Sequence, residues 1–158
     1  MARQTTVRKV VEAVGISRVY QMPSRLRFRQ APPGTGVAFH RTDRNACVPA
    51  GLDRASLCEG RLVLGRAPGQ VEGVEHLLAA IVAQGLTDVF VELDGPEPPA
   101  FDGGAATFAE MLWEAGVAVG RRFVPALQVK APVRWECEHG AVELRPAGNL
   151  LVETRSAG

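Results

Sequence analysis

The 158-residue chain is 46% hydrophobic and 22% charged, the make-up of a globular protein able to bury roughly two-thirds of its unfolded surface in one domain, or one domain plus a fragment. Its 18 basic and 17 acidic side chains leave a formal charge of +1, which excludes a strong attraction for nucleic acid or anionic membrane, although Arg3, Arg8 and Lys9 make the N-terminus locally basic. No apolar run approaches the roughly 20 residues of a membrane-spanning helix, so no transmembrane segment is expected. The N-terminus carries charge but no uninterrupted apolar stretch of the secretory kind. Cys47, Cys58 and Cys137 are odd in number and far apart. Without a C-x-x-C spacing they argue against a disulfide framework or a zinc knuckle, and they fit buried or idle thiols in a reducing cytoplasm.

Taken in chain order, Gln4 to Val14 mixes β-branched residues with charge and reads as a strand. Ser24 to Gln30 alternates through Arg25-Leu26-Arg27-Phe28-Arg29, setting arginines on one face and apolar residues on the other. The breakers Ala31-Pro32-Pro33-Gly34-Thr35-Gly36 predict a turn, with Val37 to Arg41 returning as the second arm of a hairpin. Arg61 to Gly65 is a further strand candidate. Val74, Leu77, Leu78, Ile81 and Val82 then form one stripe of an amphipathic helix of about three turns, stopped at Gln84-Gly85. Asp88 to Leu93 reads as a strand, Asp94-Gly95-Pro96-Glu97-Pro98-Pro99 as a stiff loop, and Phe108, Met111, Leu112 and Ala115 as a second helix closed at Gly116.

From Phe123 the pattern is extended: Leu127 to Trp135, a turn at Glu138-His139-Gly140, Ala141 to Arg145, a turn at Pro146-Ala147-Gly148, and Leu150 to Thr154. The order of strands, helix, strand, helix predicts an α+β fold, an antiparallel or mixed sheet with both helices on one face.

The chemistry concentrates at Glu75-His76, at the start of the first helix. A carboxylate beside an imidazole suits a general base next to a metal-bound water. One protein ligand, however, does not hold a catalytic zinc that needs three. Around the pair, Glu72, Ala79, Ala80 and Ala83 are expected on the same helical face, small enough for close approach. Three other groupings invite a functional reading. Glu136, Cys137, Glu138 and His139 fall in a hairpin whose alternation splits them between faces, so an exposed turn is expected. Arg25, Arg27 and Arg29 could grip a diphosphate, but a wet sheet face accounts for them. Asp94, Glu97 and Asp102 suggest paired carboxylates, yet the intervening prolines imply a rigid loop, with Asp102 capping the helix that begins near Ala105.

Four stretches together resemble the UDP-3-O-acyl-N-acetylglucosamine deacetylase family, the zinc amidases of lipid A synthesis. They are Pro32-Pro33-Gly34-Thr35-Gly36-Val37-Ala38-Phe39-His40-Arg41-Thr42-Asp43, Val74-Glu75-His76-Leu77-Leu78-Ala79-Ala80, Val91-Glu92-Leu93-Asp94-Gly95-Pro96-Glu97-Pro98-Pro99, and Phe101-Asp102-Gly103-Gly104-Ala105-Ala106. The resemblance implies that residues 1–120 form the first of two repeated domains and 121–158 the opening strands of the second. It implies half of a sandwich in which two helical layers enclose zinc and a UDP-sugar lipid. By motif, His76 matches the zinc ligand, Glu75 the general base, and Asp102 a supporting position.

There are departures. The family's Gly-x-Gly-Leu-His-Ser-Gly stretch falls on Gly15-Ile16-Ser17-Arg18-Val19-Tyr20-Gln21, so its histidine is Val19. Its small polar Thr/Cys segment appears as Glu59-Gly60-Arg61-Leu62-Val63, and the serine after Asp102-Gly103 is Gly104. No H-x-x-x-D motif occurs to bring the remaining ligands. The expectation is a half-length hydrolase relative that is not catalytically self-sufficient and joins a homodimer or a second deacetylase-like chain. The alternative is a non-catalytic paralogue serving as a binding or regulatory module. Both readings predict an outer helical face for a partner, with Leu78, Ile81, Met111 and Trp113 as candidates.

Overall fold

A computed structural model describes residues 2–125, 128–138 and 140–155. The chain divides into two units, Met1–Val124 and Pro125–Gly158. The first is an α+β layer whose principal sheet has five strands: β2 (Val11–Ile16), β3 (Pro23–Gln30), β4 (Val37–Arg41), β5 (Ala46–Pro49) and β9 (Val89–Leu93). β1 (Ala2–Val7) and β10 (Val117–Val124) form an antiparallel pair. A smaller sheet joins β6 (Ala55–Cys58), β7 (Arg61–Leu64) and β8 (Val71–Glu72). The helices are α1 (Glu75–Ala83) and α2 (Ala106–Ala115).

Sheet order corrects the expected β3–β4 hairpin. The order is β2-β3-β9-β4-β5, with β9 antiparallel to β3 and parallel to β4. β9 buries Val89, Val91 and Leu93 on the face that also carries Leu26, Phe28 and Phe39. A strand apolar on that face and flanked by two others buries more than an edge strand in a two-stranded ribbon, and the long Pro32–Gly36 connection leaves room for it. The single N-terminal strand expected over Gln4 to Val14 is in fact β1 and β2, which belong to different sheets.

Core-facing residues of both helices meet that sheet face in one cluster that includes Leu77, Ala80, Ile81, Phe108, Leu112 and Ala115. The α1 stripe is therefore Val74, Leu77, Ala80 and Ile81. Leu78 is only partly buried and Val82 is exposed, a rotation of the expected stripe by about one residue. Ile81, expected on an outer patch, is wholly buried, whereas Trp113 is 79% exposed. The helix stops lie where glycine tolerates positive φ, Gly85 at 66° and Gly116 at 65°.

The opposite sheet face is polar. Arg27 pairs with Glu12 at 2.7 Å and with Glu92 at 3.4 Å, Arg29 also pairs with Glu92, and His40 stacks on Phe90 at 4.4 Å. This is the wet sheet face expected for the arginines. Of the buried or idle thiols expected, burial is corrected: all three cysteines are free and exposed. In the second unit, β11 (Val133–Cys137) and β12 (Gly140–Leu144) form an antiparallel hairpin. Leu150 to Thr154, expected as a strand, has no regular structure, and β10 was not expected. His139 and Leu127 lie outside the described residues.

Candidate functional site

Three backbone connections place the Glu75-His76 pair. The β6–β7 turn carries Glu59 and Gly60 at φ of 49° and 75°, the two positive-φ positions of a type I′ hairpin. It folds β7 back on β6, and β7 pairs on its other side with β8, beyond which Gly73 N–H donates to Leu62 O at 3.0 Å. Glu72 N–H donates to Pro96 O at 2.8 Å, tying the same segment to the loop after β9. Gly73, at φ 61°, then turns the chain into α1. A Cβ there would lie 3.3 Å from Glu97 Oε1, a contact the carboxylate can relieve by a small shift, but it would also sit on a left-handed backbone, and that conformation is what favours glycine.

Glu75 and His76 open α1 on the wall of a cleft of about 520 Å³, together with Arg18 and Val19 of the β2–β3 loop, Arg61 of β7 and Glu97. The sequence singled out Glu75 and His76, and the fold brings them to one cavity. Both are exposed at its wall. Glu75 is not a free carboxylate: its Oε1 accepts the Leu62 N–H at 2.6 Å. The remaining oxygen keeps lone pairs for a proton acceptor's role. The small face expected around His76 is corrected, since Glu72 lies on β8 and Ala80 turns into the core.

Asp102 does not line this cleft, although its neighbour Gly103 does. Its Oδ1 accepts from Thr107 Oγ1 at 3.2 Å and from Gly104 N–H at 3.4 Å. The N-cap of α2 is Ala105, with no side-chain cap, so Asp102 shapes the turn ahead of the helix rather than capping it. Asp94, Glu97 and Asp102 are separated, as the rigid loop implied by the intervening prolines leads one to expect. Asp94 accepts the Arg25 N–H at 2.7 Å, while Glu97, only 5% exposed, accepts the Val19 N–H at 2.9 Å and its carbonyl takes Ser24 Oγ–H at 2.7 Å. Glu97 thus pins the β2–β3 loop against the cleft.

Periodicity gave no sign of a polar chain behind this wall. Tyr20 O–H donates to Glu72 Oε1 at 3.1 Å, and Glu72 Oε2 lies 3.4 Å from Arg61 Nη1. Partial burial raises the Tyr20 phenol above its ordinary value of 10.0, and the hydrogen bond to Glu72, with that carboxylate's charge, adds to the shift. Only the departures from the family pattern at 17–21 and 59–63 marked Tyr20 and Arg61 in the sequence, and Glu72 stood out only as a neighbour of His76.

Among the described residues no three His, Cys, Asp or Glu side chains group closely enough to hold a metal ion. His76 offers one donor where a catalytic zinc takes three protein ligands, so the residues described do not by themselves fit a zinc site.

A mixed sheet bearing two helices on one face, with a carboxylate and an imidazole adjacent at one helix start, defines a polar-clefted α+β half-domain. The family model of UDP-3-O-acyl N-acetylglycosamine deacetylase, LpxC, matches residues 4–157, and the chain belongs to this family. It is similar to the UDP-3-O-acyl-N-acetylglucosamine deacetylase of Vibrio campbellii, 34% identical over 142 residues that cover 86% of this chain and 46% of that protein. The protein of the same name from Citrifermentans bemidjiense is 38% identical over 110 residues, 68% of this chain and 36% of the relative. The chain spans less than half the length of these relatives. Among the described residues, no helix is long and apolar enough to cross a membrane.

Proposed function

We propose that this chain is a half-length relative of the zinc-dependent deacetylase of lipid A synthesis, and that it supplies the Glu75-His76 half of the site without being catalytically self-sufficient. The observation that carries the reading is the convergence of Glu75 and His76 on one cleft in a chain of this family. Glu75 takes the proton from the water that attacks an N-acetyl carbonyl, a role worth about 10²–10⁴ in rate. His76 is the imidazole donor for zinc, and the cleft receives a UDP-sugar lipid. The remaining ligands come from a second deacetylase-like unit, in a homodimer, another chain or further residues. In this reading residues 1–120 correspond to the first domain and 121–158 to the opening of the second. Trp113 and Val82, 79% and 57% exposed on the helical layer, support a partner there. The protein acts in the cytoplasm.

A second reading, a non-catalytic binding or regulatory paralogue, is favoured by the Glu75 carboxylate bonding Leu62 N–H and by Val19 where the family motif carries histidine. The two separate in one experiment: zinc stoichiometry and acetate release from UDP-3-O-acyl-N-acetylglucosamine, for the purified chain alone and mixed with a full-length relative inactivated in its own first domain. The catalytic reading expects zinc and turnover in the mixture, abolished by Glu75→Gln. Neither zinc nor turnover in any combination would sink it and leave the paralogue.

A further inference from the structure

The formal charge of +1 excludes a strong field over the whole molecule, but that charge is unevenly spread. Residues 1–11 and 115–124 hold Arg3, Arg8, Lys9, Arg121 and Arg122 and no Asp or Glu. The antiparallel pairing of β1 with β10 joins these two stretches, far apart in sequence, into one ribbon. All five cations are exposed. Among the described residues only Lys9 has a carboxylate partner, Glu114 at 3.4 Å with both side chains in solvent, a pairing that water and salt weaken. Arg8 gives one N–H to Val117 O at 3.0 Å and keeps its charge.

The ribbon is tied down from within. Gln4, Thr6 and Val7 are buried, Gln4 Nε2 donates to Ala31 O at 3.2 Å, and Thr6 Oγ1 accepts the Ala31 N–H at 3.1 Å. Thr5 N–H donates to Thr87 Oγ1 at 2.9 Å. On the solvent side Val119 is 61% and Phe123 58% exposed. The Arg3 guanidinium stands 5.9 Å from the centre of the Phe123 ring, within cation–π reach. Single exposed apolar residues are ordinary on a surface. Here two of them lie among guanidinium groups that no carboxylate offsets, on a scaffold already fixed.

We propose that the β1–β10 ribbon docks on an anionic phospholipid surface. Arg3, Arg8, Arg121 and Arg122 meet headgroup phosphates, which a guanidinium takes through paired N–H donors. Phe123 and Val119 enter the boundary between headgroups and acyl chains, while the long arginine stems keep their charges at the phosphate level. The apolar pair favours a bilayer over nucleic acid, whose phosphates would use the arginines and leave Val119 in water. This surface shares no residue with the Glu75-His76 cleft and requires neither zinc nor hydrolysis.

The test is co-sedimentation of the full chain with vesicles of equimolar phosphatidylglycerol and phosphatidylcholine, against phosphatidylcholine alone, at low and high sodium chloride. Binding of a labelled single-stranded oligonucleotide is measured beside it. The ribbon predicts binding to the anionic vesicles at low salt, its loss at high salt, and none to phosphatidylcholine. Each arginine near an anionic surface contributes about fivefold, so Arg121→Gln/Arg122→Gln should weaken binding about 25-fold. Phe123→Ala should weaken it about tenfold. Arg44→Gln/Arg54→Gln removes the same net charge from outside the ribbon and leaves binding unchanged. Equal binding to both vesicle types, an affinity unchanged in the Arg121/Arg122 or the Phe123 variant, or an equal loss in the Arg44/Arg54 variant would overturn the proposal. So would an oligonucleotide bound more tightly than the vesicles at the same salt.

Discussion

Replacing Glu75 by alanine and by glutamine separates what this side chain does for the fold from what it does for chemistry. Glu75 Oε1 accepts the Leu62 N–H at 2.6 Å across thirteen residues of sequence, joining the first turn of α1 to β7. A hydrogen bond to a charged acceptor contributes about 1.5–3 kcal/mol when sheltered from water. This one is exposed, so about 1 kcal/mol is the reasonable expectation for Glu75→Ala. For a unit of this size that corresponds to a fall in Tm of about 4 °C. Glutamine keeps a carbonyl oxygen at the same reach, so Glu75→Gln is expected within about 0.5 kcal/mol of the parent. Thermal unfolding gives the global number, and amide exchange at Leu62 gives the local one, accelerated in the alanine variant and close to the parent in the glutamine variant. Equal exchange at Leu62 in parent and Glu75→Ala would refute the claim that this carboxylate holds the β7 strand. If the glutamine variant is stable yet inactive in the complemented assay, the carboxylate's charge serves chemistry rather than the scaffold.

Leu77 is fully buried between α1 and the sheet, so Leu77→Ala is expected to lose about 2–5 kcal/mol, read as a lower urea midpoint at an unchanged m-value. Gly73→Ala forces a side chain into a left-handed backbone at φ 61° and sets its Cβ 3.3 Å from Glu97 Oε1. It should lose about 1–2 kcal/mol and speed exchange of the Val19 amide that Glu97 holds; unaltered exchange there would contradict the coupling. Tyr20 is the one tyrosine of the chain, so phenolate absorbance near 295 nm reports it alone. Its folded value is raised above 10.0 by burial and by Glu72. The stability it contributes is therefore complete below its unfolded value and lost as pH rises through the folded one. The absorbance midpoint should lie above pH 10.0 and fall on Glu72→Gln; an unchanged midpoint in that variant would remove Glu72 as a cause.

The helices and β3 were legible because their signals are local. Glycines at 85 and 116 stop two periodic segments where the structure ends them, and Arg25 to Arg29 alternate as a strand with one dry face. The partner of each strand was not legible. Val37 to Arg41 is apolar enough to lie beside either β3 or β9, and the choice rests on burying β9 between them. β10 escaped notice because its pattern is irregular and largely exposed, so no period of two stands out.

The same division runs through the site. Glu75-His76 and the flanking apolar, Gly and Pro positions were sufficient to identify the family and the α+β class, since these are short-range patterns that survive in any register. Asp102 was misassigned because a cap is decided by where the helix starts, and the N-cap here is Ala105, three residues further on. Arg18, Tyr20, Arg61 and Glu72 are separated in sequence, and nothing in their spacing signals that they meet. The type I′ turn at Glu59-Gly60, the positive φ at Gly73 and the pinning of Val19 by Glu97 bring Arg18 and Arg61 to one wall, with Tyr20 and Glu72 behind it. The sequence by itself determined the two helices, β3 and which catalytic-type pair opens α1. Only the tertiary structure decided what surrounds that pair, because burial, strand order and side-chain partners depend on contacts between segments far apart in the chain.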